Sequence, residues 1–358
     1  MPSLKEIKGR INSISSTLAI TSAMKMVASA KLQKAQMAIQ NMLPYERRLY
    51  SMLLDLMGAM NISAAASEDG SVRGSGSAER GFDQSGDRLS LSNRHDLAGM
   101  DGAYSLMAQR EVRKVAIVAF ASNSSLCGAF NSNVIREATA VINEYRASGL
   151  RDSDIVVYSV GRKMAEAMRK LGFPSPADFT KMSDSPSYEA ASALAQELLD
   201  GFVSGRFDKM ELVYNHYKST SSQPTTRQTY LPLSLADATA DIQVGKINDS
   251  ASESDTNRGA EPVGAPVVRQ GSPTTEDLIV EPSKEELIAT LLPKVIRLRV
   301  FTTLLDSTAA EHAARTVAMQ LATDNGNDLL QELTLEYNKG RQQKITSEIL
   351  DLVGGSMQ

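Results

Sequence analysis

The sequence predicts an α/β fold with long helices: an antiparallel coiled coil of the N- and C-terminal helices, with a central Rossmann-like α/β domain between them in the chain. Three observations predict it. A three-four rhythm of apolar and small residues runs through both ends of the chain, far beyond the three or four turns of an ordinary helix. Two short β-branched runs in the middle, KVAIVAF (114–120) and DIVVYSV (154–160), each lead through a loop into a helical pattern. Two segments rich in Ser, Gly, Asp and Ala separate the centre from the ends. The expected division is a helix over 1–61, a low-complexity insertion over 62–105, a central α/β domain over 106–235, a flexible insertion over 236–275 and a second helix over 276–358.

The first helix is read from Ser3 to about Asn61, where Pro44 is the only proline and no glycine falls between Gly9 and Gly58. Steps of three and four pick out Ile7, Ile11, Ile14, Leu18, Thr21, Lys25, Ala28, Leu32, Ala35, Ile39, Met42, Glu46, Leu49, Leu53, Leu56 and Met60. Such a seam at 1.5 Å per residue implies a rod of roughly 80 to 90 Å, with Pro44 as the place for a kink.

In the centre, the helical patterns NSNVIREATAVINEY and RKMAEAMRKLG follow the two apolar runs, which is a βαβ rhythm. The helical YEAASALAQELLDGFVSG then precedes two more strand candidates, MELVYNHYKS and QTYLPLS.

The last helix is expected to start at Ser283, an N-cap with Glu286 three residues on, and to stop at Gly354-Gly355. Pro293 marks a bend near its start. Its seam reads Leu305, Ala309, His312, Thr316, Met319, Thr323, Gly326, Leu330, Leu333 and Tyr337, with small residues that let a second helix approach closely. Two narrow seams at opposite ends of one chain pair most economically with each other.

Composition excludes several classes. A net charge of −4 with 22% charged residues is neither that of a global nucleic-acid binder nor that of an acidic tail. Cys127 is the single cysteine, so an internal disulfide and a cysteine-based zinc site are ruled out and a reducing compartment is the simplest reading. The start MPSLKEIKGR has no apolar core of signal-peptide length, and no run of about eighteen apolar residues offers a membrane span. Sixteen methionines, no tryptophan and 5% aromatics place the apolar content in helix seams rather than a thick core.

Chemistry is sparse. The loop after the first strand, ASNSSLCGAFN, holds one glycine and no phosphate-binding motif. Cys127 reads as a small packed side chain. His95, His216 and His312 have no metal-ligand spacing, and His312 in its small-residue seam reads as a structural, hydrogen-bonded histidine. No catalytic residue, cofactor site or metal site is expected. What remains is TSAMKMVASAKLQKAQ (21–36), where Ala23, Met24, Val27 and Ala30 form a second apolar strip beside Lys25, Lys31 and Lys34. Over residues 1–50 eight basic side chains stand against two acidic ones, Glu6 and Glu46. The strip is either a solvated basic face or a surface for other protein chains, soft because methionine repacks and positive because acidic partner loops would meet it.

Three stretches carry a resemblance: ITSAMKMVASAKLQKAQ, SSLCGAFN and AARTVAMQLATDNGNDLLQELTLEYNKGRQQKITSEILDLVGGS. With them the chain resembles the gamma subunits of F-type ATP synthases, over both helical arms and most of the centre. The resemblance implies a non-catalytic central shaft, one copy per complex, that turns with an ion-driven ring of c subunits and cycles the catalytic beta subunits through open, loose and tight states. It implies as partners the alpha and beta subunits, the epsilon subunit and the c ring, with no nucleic acid and no bound nucleotide. It also implies a peripheral location on the cytoplasmic face of the bacterial inner membrane. Carried over by matching position, Met24 and Lys25 would face acidic beta-subunit loops, and Arg315, Gln342, Thr346 and Glu348 would engage loops near the beta-subunit catch. For Asp324, Asn325 and Gly326 a seam role and a contact role both stand.

Two departures matter. Segment 62–105 is longer than that family's usual loop. Segment 236–275 lies where photosynthetic relatives carry a cysteine pair and has no cysteine, which excludes a thiol switch there and leaves a spacer or a latch. Other readings are an adaptor that grips clients with its helical arm, and an α/β enzyme with a ligand in its centre.

Overall fold

A computed structural model describes residues 3–59, 106–107, 110–233, 281 and 283–356. The expected insertions 62–105 and 236–275, and His95 within the first, lie outside the described residues.

Helix α1 spans Leu4–Ala59, 56 residues or roughly 84 Å. Ser3 starts it, its Oγ accepting the Glu6 amide at 3.2 Å, and Glu6 adds negative charge at the positive end of the helix dipole. Helix α1 runs on through Pro44 without interruption. At the other end of the chain α6 spans Lys284–Ser356, 73 residues, and also continues through its proline, Pro293. Its start matches the expected cap: Ser283 Oγ accepts the Glu286 amide at 3.1 Å.

The two helices pack side by side and run in opposite directions. Leu4 meets Gly340 and Leu18 meets Gly326. Thr323 Oγ1 donates to Thr21 Oγ1 at 3.1 Å, and Leu32 and Ala35 cluster with Ala309 and Ala313. Nearer the chain's centre Thr302 Oγ1 donates to Glu46 at 3.1 Å and Arg299 Nη1 to Tyr50 at 2.5 Å. Covered positions repeat at threes and fours, as in Ile11, Ile14, Leu18, Thr21, Lys25 and Ala28 of α1 and Thr323, Gly326, Leu330, Leu333, Tyr337 and Gly340 of α6. Gly326 therefore belongs to the seam. From 341 to 350 every residue of α6 is exposed, because α1 begins at Leu4 opposite Gly340 and beyond it the seam has nothing to cover it.

Between the two helices in the chain lies a four-stranded sheet. Strands β1 (Val115–Phe120), β2 (Ile155–Val160), β3 (Lys209–Asn215) and β4 (Thr225–Leu231) lie in the order β2-β1-β3-β4. β1 pairs parallel with both β2 and β3, with Ile117 opposite Val157 on one side and Glu211 on the other. β4 is antiparallel to β3, so the sheet is mixed rather than wholly parallel, as a short hairpin connection permits. The helices are α2 (Phe130–Ala147), α3 (Arg162–Lys170), α4 (Thr180–Asp184) and α5 (Tyr188–Val203).

Each face of the sheet has its own core. Val115, Ile117 and Ala119 pack with Val134, Val141 and Ile142 of α2 and Met164 and Met168 of α3. Ala116, Val118 and Phe120 pack with α5 and with Tyr50, Leu53, Ile296 and Leu304 of the two long helices. A buried side chain such as Leu53, 1% exposed, contributes about 1.5–3 kcal/mol, so this second core holds the sheet and the helix pair as one unit. Tyr230 adds a directed tie, its hydroxyl donating to the Ile296 carbonyl at 3.1 Å.

Candidate functional site

The first place to look for chemistry is the C-terminal edge of β1, where strand order reverses and α/β sheets usually hold ligands. Protein fills it. Cys127 and Phe130 pack on Ala310 of α6, and a Cβ on Gly128 would stand 3.8 Å from Ala318. The loop's polar groups are used internally: Asn131 Oδ1 accepts the Ser122 amide at 3.0 Å, and Asn131 Nδ2 donates to Ser122 Oγ at 2.9 Å. Asn123 Nδ2 donates to the Thr180 carbonyl at 2.7 Å. At the turn into α3, Gly161 has φ +96°, and any Cβ there would fall 2.0 Å from the Ala121 carbonyl oxygen. Cys127 is buried and packed as expected.

Exposed apolar side chains along the helix pair are the other feature. On α1 these are Ile20, Met26, Val27, Met37, Tyr45 and Met52; on α6 they are Val317, Leu321, Leu329 and Leu335, followed at the tip by Ile345, Ile349, Leu350, Leu352 and Val353. The seam uses up one stripe of each helix, so these residues point away from the partner helix into solvent. In the expected strip Ala23, Val27 and Ala30 are exposed and Met24 is half-buried.

Where the strip meets α6, a cavity of about 250 Å³ is lined by Ala23, Met24, Val27, Ala28, Lys31, His312 and Arg315. Arg315 is 13% exposed, its Nη2 paired with Glu311 at 2.8 Å and bonded to Ser124 Oγ at 2.8 Å, so it braces α6 against the loop after β1. Burial pushes the Glu311 carboxyl up, and the Arg315 charge only partly offsets it. Burial, then repulsion from Arg315 and Lys31, brings the His312 imidazole down to about 4, so it is neutral at physiological pH. Its Nδ1 is buried without a hydrogen-bond partner, which corrects the expectation of a hydrogen-bonded histidine. The side chains that line the cavity around it are apolar or, in Lys31 and Arg315, cationic, and none of them is an acceptor.

The other sequence-expected residues are spread along the rod. Lys25 is half-buried in the seam row of α1. Gln342, Thr346 and Glu348 are exposed on the tip; Thr346 Oγ1 donates to the Gln342 carbonyl at 2.9 Å, and Lys344 Nζ lies 3.8 Å from Glu348. Asp324 accepts from Gln320 Nε2 at 2.7 Å on the outer face. The structure brings Met24 and Arg315 to one cavity and leaves Gln342, Thr346 and Glu348 together at the far end. Sequence reading missed Met26, at 73% exposure the most prominent apolar side chain of the strip, although its place beside the seam residue Lys25 already turns it outward.

Residues 3–357 match the family model described as ATP synthase. The chain is 46% identical over 357 residues to the ATP synthase gamma chain of Phocaeicola vulgatus and 45% identical over 358 to that of Bacteroides thetaiotaomicron, covering all of each protein. The gamma chain of Flavobacterium johnsoniae is 36% identical over 99% of this chain and 98% of its own. Both insertions fall inside these matched spans. A chain in the mitochondrial ATP synthase structure of Euglena gracilis (OSCP/F1/c-ring, rotational state 3) shares the fold, with a TM-score of 0.52 at 19% identity over 99% of this chain and 93% of that one. The chain belongs to the ATP synthase gamma chain family.

Proposed function

We propose that the protein works as the central, non-catalytic shaft of an F-type ATP synthase, with the two long helices wound as an antiparallel coiled coil and the mixed sheet as a Rossmann-like base. Ion-driven rotation of the ring turns the shaft, and the shaft drives the conformational cycle of the catalytic subunits; in reverse, hydrolysis drives pumping. The observation that carries this reading is the division of labour on the helices: seam residues such as Leu18, Thr21 and Gly326 face inward, while Met26, Val27 and Leu321 stay outside.

An exposed apolar surface of this extent asks for protein partners. It differs from side to side, because α1 and α6 present different residues and α6 alone forms the tip. Each orientation inside a threefold ring therefore makes different contacts with three chemically identical subunits. Only such differential contacts can bias one subunit toward open while another is tight. On this reading the alpha and beta subunits surround the helix pair, and the epsilon subunit and c ring meet the α/β base. One copy serves each complex, peripheral on the cytoplasmic face of the bacterial inner membrane. Met24 faces beta-subunit loops, and so does Lys25 by extending its ammonium out of the seam that covers its stem; Gln342, Thr346 and Glu348 serve as contacts at the tip. Arg315 reaches partner loops only along the edge of its cavity, since most of its side chain is engaged within the chain.

The test is co-purification of the tagged full-length protein from membranes, with subunit stoichiometry and ATP hydrolysis measured together. One copy with three pairs of nucleotide-binding subunits is expected. Recovery in a freely exchanging complex without hydrolysis would favour the adaptor reading instead.

A further inference from the structure

Two residues just past β3 touch both long helices at once. The Tyr217 amide donates to Asp306 Oδ1 of α6 at 2.8 Å, and His216 Nδ1 lies 2.6 Å from the other oxygen of the same carboxylate. In the opposite direction Gln36 Nε2 of α1 donates to the Tyr217 hydroxyl at 2.5 Å. The Tyr217 ring packs beside Leu32, Ala35, Ala309 and Ala313, and also against the group formed by Cys127, Phe130 and Ala310. The dipeptide is fixed from behind. The His216 amide donates to the Pro224 carbonyl at 2.8 Å, Asn215 Nδ2 donates to the Phe130 carbonyl at 3.0 Å, and Thr225 Oγ1 donates to Asn215 Oδ1 at 2.7 Å.

The large apolar core below resists separation of the base from the helix pair, but apolar contact is non-directional and permits small sliding; the directed bonds of Tyr230 to Ile296 and of Arg315 to Ser124 reach α6 but not α1. Hydrogen bonds have fixed lengths and angles, and those to a carboxylate are the stronger kind. From this geometry we infer that His216 and Tyr217 form a torsional lock, with Asp306 and Gln36 as its two catches, through which turning force passes between the α/β base and the helix pair. The inference rests on the shaft reading and adds the positioning residues by which the shaft keeps its angle. Tyr217 is the hub, because one side chain and its own amide reach α6, α1 and, at Cys127 and Phe130, the loop after β1 and the start of α2.

The experiment fixes the catalytic hexamer of the assembled complex to a surface and follows a bead attached to the α/β base while nucleotide arrests rotation. In the double variant Asp306→Ala/Tyr217→Phe the angular variance of the bead is expected to rise at least twofold, and ions pumped per ATP hydrolysed to fall. Asp306→Glu, which keeps an acceptor for both bonds, should restore wild-type variance when combined with the native tyrosine. Unchanged variance in an assembled double variant overturns the inference. Should the double variant not assemble, Tyr217→Phe alone, which loses only the Gln36 bond, must still raise the variance, and an unchanged value again overturns it. A wild-type complex whose base never turns relative to the hexamer would refute the shaft reading itself, a different result.

Discussion

Gly326 of α6 lies so close to Leu18 of α1 that a Cβ built on it would come within 2.6 Å of Leu18 Cδ2. The atom in the way is the end of a flexible side chain, so a single methyl can be accommodated by a rotamer change. Helix propensity favours Ala over Gly by about 1 kcal/mol, which offsets that strain. Gly326→Ala should therefore stay within about 1 kcal/mol of wild type. Gly326→Ile forces the helices apart and should cost roughly 1–3 kcal/mol. Urea unfolding of the full-length chain, followed by circular dichroism, separates the two.

Arg315 and Glu311 form a partly desolvated pair one helical turn apart. Removing one partner leaves the other charge without compensation, so Arg315→Ala should destabilise by roughly 3–5 kcal/mol, and the double Arg315→Ala/Glu311→Ala by clearly less than the sum of the single effects. The same unfolding experiment reads this cycle. Additive effects would mean that Arg315 does not act as a brace.

Acid should weaken the protein in two stages. His312 is held neutral, with its folded value brought from 6.5 down to about 4 by burial and by Arg315 and Lys31. Its contribution is complete above 6.5 and is lost as pH falls toward 4, as the unfolded chain takes up the proton first. His312→Gln should flatten stability over that window, with Arg315 and Lys31, the two charges that act on it, left in place. Glu211 acts lower. Burial opposes its charge, but Arg227 at 2.6 Å, Lys209 at 2.8 Å and the Tyr145 hydroxyl at 2.5 Å outweigh burial and hold its carboxyl below the usual value. Its contribution is present above about 4.5 and disappears as pH falls through the depressed folded value. At neutral pH Glu211→Gln should cost roughly 3 kcal/mol.

Met26 offers the converse case, since its side chain is mostly in solvent and packs little within the chain. Met26→Asp should leave the chain's own unfolding within about 0.5 kcal/mol. In the assembled complex the same change should lower ion pumping per ATP hydrolysed. Full coupling in that variant would place Met26 off the working surface.

The helices were legible because a seam repeats: every third or fourth residue must be apolar or small, and Ser3 and Ser283 mark the starts chemically. The parallel strands were legible too, as β1 is buried along its whole length and so reads as an unbroken apolar run. β4 was harder. Its segment TTRQTYL is mostly half-covered, and its antiparallel direction leaves no pattern in composition. Least legible were single polar ties such as Gln36 to Tyr217, 181 positions apart, because an isolated amide and a tyrosine carry no periodicity. His312 shows the opposite error. Its place in the seam is legible, but the expected hydrogen bond is missing, because the apolar side chains and the two cations, Lys31 and Arg315, around Nδ1 hold no acceptor.

Beyond Gly340 the rod loses half its cross-section, because α1 begins at Leu4 opposite Gly340 and α6 goes on without it, residues 341 to 350 all exposed. A lone helix is a far more pliant beam than a doubled one, so bending gathers at this end while the shank below stays straight. An axle with a compliant nose centres itself in an imperfect bearing, and cutting the chain after Gly340 would remove that cushion without altering the shank.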